Sequence, residues 1–345
     1  MKLAPQPKKP VVDRLAFVLQ WGCDPYDGHD EMLRKVRLRI DRQIAAGVCE
    51  RAYLGASRYR ENFRILVDGG SKALVQIGAV DPVRQKGGVR IELNPAKFKP
   101  GDVQQLHLVM RKIIGRCVYN RLMRKPLLQV IHFAVDILHL VLSNALVQYQ
   151  NAQLMTVIAK RVSMNGIVEG YNYGSVSSNY QTAVYDKHRE RVHAAVLALA
   201  KEGAAGMGRD PLKNNKVRQL DAAINGCETT RVEVRSKKMR GLPLWKLPQQ
   251  TNRFARFRFA DLSGSGSELP PFVERAFLAI CRQDGVKVAL AAFKHDEHAR
   301  KVHKYWRSRQ AAWWQPEQLW EQACEALRES KIFPTSAFEQ PTANA

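Results

Sequence analysis

"PLLQVIHFAVDILHLVLSNALV" (126–147) is the most apolar stretch of the chain, and its reading decides the fold. A membrane helix needs about 20 apolar residues without interruption. Here His132, Asp136 and His139 interrupt the run, and charged groups at bilayer depth are costly. The segment "LLQVIHFAVDIL" (127–138) therefore reads as a buried strand of a globular core. Alternate residues of a strand face opposite ways. His132, Ala134 and Asp136 then share one face, and Phe133 and Val135 take the other. An imidazole and a carboxylate so placed can reach one divalent cation, or can simply hydrogen-bond to each other. This stretch alone leaves both readings open.

Working outward, "RLAFVLQWG" (14–22), "FRILVDGG", "KALVQIGAV" and "GVRIELNP" read as strands on the N-terminal side. Helical spacing of apolar residues predicts helices over 30–47 and 102–122. On the C-terminal side the pattern predicts a helix over 151–162. A hairpin of "GIVEGYNYG" and "NYQTAVYD" follows, with a Gly/Ser turn at 174–178, and then a helix over 187–203. "GMGRDPLKNNKVRQ" (206–219) reads as a basic loop, and "TTRVEVRSK" and "RFARFRFADL" as strands. Strands outnumber helices and do not alternate with them, which points to an α+β fold around a mostly antiparallel sheet. "ADLSGSGSELPP" (260–271) has linker composition, and everything after it reads as helix. The expected organisation is a loose N-terminus (1–11), a main domain (12–260), a linker (261–271), a helical C-terminal domain (272–335) and a flexible tail (336–345).

Composition narrows the function. The 345 residues include 55 Lys and Arg against 32 Asp and Glu, a formal net charge of +23. Cations spread along the whole chain point to a polyanionic partner, nucleic acid above all. The N-terminus has Pro and Lys where a signal peptide needs an apolar core, so a cytoplasmic protein without membrane association is expected. Six cysteines form no CxxC pair, which removes zinc sites built on that spacing.

Two further stretches carry candidate chemistry. In "QTAVYDKHRERV" (181–192) a continuous strand would put Tyr185 and Lys187 on one face, a nucleophile beside a cation. A phenol has a pKa near 10 and needs such help. In "RVEVRSKK" (231–238), Arg231, Glu233 and Arg235 share a polar face opposite Val232 and Val234. That face is either an ordinary set of ion pairs or a metal-binding carboxylate between phosphate-binding guanidiniums.

Taken in order, "VRIELNPAKFKPGDVQQLHL" (89–108), "VIHFAVDI", "AVYDKHRE", "RVEVR" and "RGLPL" resemble the replication initiation proteins of filamentous phages (gene II type) and of related rolling-circle plasmids. The resemblance covers roughly residues 70–250. It departs at His132, where those proteins place an Asp, and at Val130, where they place an Arg. It implies site- and strand-specific nicking and rejoining of origin DNA. Tyr185 would form a 5′-phosphotyrosine and Lys187 would assist. Asp136, Glu233 and His132 would hold Mg²⁺ or Mn²⁺, and Arg231 and Arg235 would clamp phosphates. The sequence leaves open whether Tyr180 assists Tyr185 as a second nucleophile. The expected partners are origin DNA, single- and double-stranded, with a host helicase and DNA polymerase in the bacterial cytoplasm. Lys237, Lys238, Lys304 and Arg307 are further DNA-binding candidates. The last two lie in "KHDEHARKVHKYWRSRQAAWW", whose aromatics suit either stacking on unpaired bases or a helical core. The competing readings are a non-catalytic DNA-binding protein, such as a repressor or partition factor, and a metal-dependent hydrolytic nuclease.

Overall fold

The computed structural model describes residues 3–21, 29–55, 57–150, 159–162, 168–175, 177–203, 215–262 and 268–340. The chain forms two compact units, residues 1–9, 135–234 and 252–320 in one and 10–134, 235–251 and 321–345 in the other. Two strands, Leu127–Leu138 and Thr229–Ser236, contribute to both.

In the unit that holds 10–134, the strands lie in the order Cys49–Arg51, Tyr59–Leu66, Lys72–Ala79, Val89–Leu93, Val11–Leu19 and Leu127–Leu138. Every one of these ladders is antiparallel. Period-two alternation makes one face dry. Phe63 pairs with Val75, Val75 with Ile91, Ile91 with Phe17, and all four are essentially inaccessible to water. The other face carries a polar chain. Gln76 Nε2 donates to Asn62 at 2.8 Å, Arg90 donates to Gln76 at 2.7 Å, and Arg14 Nε donates to Glu92 at 2.7 Å. Helices His29–Ala45 and Pro100–Ile114 bring Val36, Ile40, Leu106, Met110 and Ile113 into the core. The expected single helix over 102–122 is two, because Gly115 at φ +106° ends the first and leaves Arg116–Leu122 as a second.

In the other unit the order is Leu127–Leu138, Thr229–Ser236, Tyr180–Asp186, Val168–Tyr173 and Ala159–Val162. The hairpin is antiparallel with Gly170 opposite Tyr185. Helix Lys187–Gly203 begins where the sequence pattern places it. Residues 151–158 of the expected helix over 151–162 lie outside the described residues. Its end, Ala159–Val162, is a strand paired with Val168–Tyr173, so cross-strand pairing overrides the helical spacing there. The basic loop of 206–219 is described only from 215, where helix Asn215–Ile224 begins. Residues 263–267 of the linker lie outside the described residues, while Leu269 beyond them is buried.

The C-terminal helices Pro271–Asp284, Val286–Ala292 and Ala299–Ser308 do not form a core of their own. Phe277, Ala289, Val302 and Trp306 are buried with Leu146 and Ala260 of the antiparallel pair Ala145–Tyr149 and Phe257–Asp261. The fourth helix, Pro316–Glu329, runs from one unit into the other. A boundary at 260/272 therefore does not mark a compact unit: the apolar faces of the helices need the 145–149 and 257–261 strands to be covered. Both ends are also better anchored than their composition suggests. Gln6 and Pro7 pair with Leu138 and Ile137, and Ala337 is buried. Residues 1–2 and 341–345 lie outside the described residues. Among the described residues, no helix is long and apolar enough to cross a membrane.

Candidate active site

Tyr185 is the penultimate residue of the Tyr180–Asp186 strand, next to Thr229–Ser236 in the sheet order. Its hydroxyl donates to Glu233 Oε1 at 2.7 Å. Glu233 is almost fully buried, so its carboxylate has little water to bind, and the phenol is one of the groups that satisfy it. Burial raises the phenol pKa above its ordinary range. The charge and the accepted hydrogen bond of Glu233 raise it further, Glu190 adds to this, and Arg231 opposes it. The phenol is thus held protonated, with its proton aimed at a carboxylate.

Gly170 makes this placement possible. A Cβ at Gly170 would sit 2.7 Å from Tyr185 Cβ and 3.0 Å from the Val184 carbonyl oxygen. No side chain fits at that distance. The sequence signal was present, a Gly inside a strand pattern, but nothing local tied it to Tyr185.

Lys187 does not continue the strand. It opens helix Lys187–Gly203, whose N-terminus is capped by Asp186 accepting from the Arg189 amide at 2.9 Å. Its ammonium lies 5.9 Å from the centre of the Tyr185 ring and pairs with Glu190. Arg231 also acts on the phenol, its positive charge opposing the upward shift. Arg231 is itself held by Asp136 in a two-pronged pair, Nε to Oδ1 at 2.6 Å and an NH₂ group to Oδ2 at 2.9 Å. Tyr180 lies apart from this group. The Arg253 guanidinium stacks 3.3 Å from its ring centre, a contact with no sequence signal because 73 positions separate the two.

His132 belongs to the unit holding 10–134 and stands opposite Arg14 in the ladder. It is buried, and its Nε2 has no hydrogen-bond partner. Burial, and then the positive charges of Arg14, Arg235 and Lys237 with Asp13 partly opposing, push its pKa down to about 4. The ring is therefore neutral at pH 7. Lys238 is exposed.

On helix Ala299–Ser308 the aromatics face inward: Tyr305 and Trp306 are buried, as is Trp314 beyond it. Their rings are therefore not set out for stacking on bases. The opposite face carries Arg300, His303, Lys304 and Arg307 along an open groove of about 740 Å³. Lys304 pairs there with Glu268 at 2.7 Å.

A divalent cation needs several oxygen or nitrogen donors converging on one point. Among the described residues no group of three or more His, Cys, Asp or Glu side chains is gathered in that way. Both Asp136 oxygens accept from Arg231, Glu233 accepts from Tyr185, and His132 lies among cations. As arranged, these donors do not fit Mg²⁺ or Mn²⁺.

No protein-family model and no curated protein matches the chain. Among solved structures, the chain is similar to one described as the rolling circle replication initiator protein from Geobacillus stearothermophilus. The match covers 82% of this chain and 98% of that chain at 13% identity, with a TM-score of 0.34.

Proposed function

We propose that this chain is a DNA strand-transfer enzyme with a tyrosine nucleophile. More particularly, we read it as a rolling-circle replication initiator that nicks and rejoins one strand of its origin. The observation that carries this is the Tyr185–Glu233 hydrogen bond on a strand flanked by Gly170. A buried carboxylate that accepts the phenolic proton is what a tyrosine needs to attack a phosphodiester near neutral pH.

In the forward step Tyr185 Oη bonds to phosphorus and its proton passes to Glu233. The bond from phosphorus to the 3′ oxygen breaks, and that oxygen leaves as a 3′-hydroxyl once it takes up a proton. A 5′-phosphotyrosine remains. Rejoining is the reverse, with Glu233 returning the proton to Tyr185. The ester bond is exchanged and not hydrolysed, so no nucleotide is consumed. Arg231, steadied by Asp136, supplies positive charge beside the reacting oxygen. Lys187 would add a second cation on release from Glu190.

Arg235, Lys237 and Lys238, with Arg14, are proposed to track the DNA backbone. The positive charges around buried His132 repel a divalent cation there. No step above runs through a metal. A host helicase, a host polymerase and the bacterial cytoplasm complete the proposal.

The test is Glu233→Gln. The substitution keeps the side-chain size and removes the proton acceptor. We expect nicking of origin DNA to fall at least 100-fold in Mg²⁺ and Mn²⁺ alike, with DNA binding retained. Recovery at high Mn²⁺ would return Glu233 to the role of metal ligand. Full activity would leave the hydrolytic nuclease or the simple binder.

A further inference from the structure

Helices Pro100–Ile114 and Arg116–Leu122, with the segment that follows helix Pro316–Glu329, enclose a cavity of about 480 Å³. All three belong to the unit that holds 10–134, and none takes part in the chemistry above. Arg111, Arg124 and Lys331 line it, and among the described residues no Asp or Glu does.

The walls are fixed before any ligand arrives. His107 Nδ1 lies 2.9 Å from the hydroxyl of fully buried Tyr119, and its Nε2 lies 3.4 Å from the Lys331 carbonyl oxygen. Arg111 Nε donates to Asn120 Oδ1 at 3.0 Å, which orients the guanidinium. Phe333 is buried edge-on against Phe17 at 4.7 Å and anchors the closing segment. Lys331 holds a left-handed backbone at φ +55°, a position where Gly would be the unstrained choice. Lys331 lines the cavity from that position.

Three cations around one space with no carboxylate to offset them favour an anion, and guanidiniums bind phosphate with two donors each. The volume lies in the range of small-molecule sites. Exposed Pro334 gives an apolar surface, and Asn120 an amide with both donor and acceptor atoms. We infer that this cavity binds a nucleoside phosphate, with the phosphate on Arg111, Arg124 and Lys331 and the base against Pro334. An ordinary basic surface would attract any polyanion and would not distinguish a nucleotide from its parts.

The probes are AMP, adenosine, inorganic phosphate and an oligo(dT) strand, titrated calorimetrically into the full chain. We expect AMP to bind at least tenfold more tightly than adenosine or phosphate. Arg124→Gln, at an exposed position, should weaken AMP about tenfold or more. Thr335→Trp, on the exposed rim, should fill the space and remove AMP binding while all three cations remain. AMP that binds no better than phosphate, or binds Thr335→Trp like the parent, would overturn the inference. So would oligo(dT) binding that Arg124→Gln weakens while AMP gives no heat, since the cations would then serve a DNA backbone. The titrations run equally on Tyr185→Phe, so failure here is separable from failure of the strand-transfer proposal.

Discussion

At the scale of single residues, the proposed site rests on the Tyr185–Glu233 hydrogen bond more than on a cluster of charges. Tyr185 was legible in the sequence as a strand-end tyrosine before a run of cations. Its partner Glu233 was legible as the acid of "RVEVR", yet their contact joins positions 48 apart and no local pattern encodes it. Lys187 was misplaced for a physical reason. The capped helix begins at once after Asp186 and turns the lysine toward Glu190. Two residue-scale expectations follow. Gly170→Ala should crowd Tyr185, cost about 1–3 kcal/mol in stability, and reduce nicking far more than DNA binding. Chemical denaturation and a nicking assay on the same preparation would check this; unchanged nicking would mean the tyrosine does not need this position. His132 should stay neutral through mild acid. Its folded pKa of about 4 lies below the ordinary value near 6.5. The stability it contributes is therefore complete above about pH 6.5 and is lost as pH falls toward 4. Its imidazole proton shift in NMR should not move between pH 7 and 5. A midpoint near 6.5 would mean the ring is solvated.

At the scale of elements, strands were the most readable part. Leu127–Leu138 and Lys187–Gly203 fall where the pattern places them, because an apolar run with period two and a capped amphipathic run are both local signals. What failed was non-local. Ala159–Val162 is a strand because a neighbour pairs with it, and the C-terminal helices lack independence because Leu146 and Ala260 complete their core. Helix Ala299–Ser308 resolves the two readings of its aromatics in favour of the core. Trp306→Ala should then destabilise the protein by about 3–5 kcal/mol. Exposed Arg307→Gln should leave stability unchanged. If that face meets DNA, the same change should lower the slope of log K against log salt by about one phosphate's worth. Equal slopes for Arg307→Gln and parent would assign the charged face to solvent. Equal stability of Trp306→Ala would place its ring outside the core.

At the scale of the whole molecule, a net charge of +23 joined to the half-buried Tyr185 and its buried partner Glu233 is the combination that the strand-transfer proposal has to explain. The charge supplies affinity for a polyanion without choosing among binder, nuclease and transferase. Only the covalent step separates them, and it leaves a chemical trace. The most direct measurement is incubation of the protein with supercoiled DNA carrying its own origin, followed by protease digestion and mass spectrometry of the DNA-linked peptide. We expect a nicked circle whose 5′ phosphate is esterified to Tyr185, absent from Tyr185→Phe and unaffected by Tyr180→Phe. Nicked circles with a free 5′ phosphate and no linked peptide, or an adduct that survives in Tyr185→Phe, would contradict the proposal.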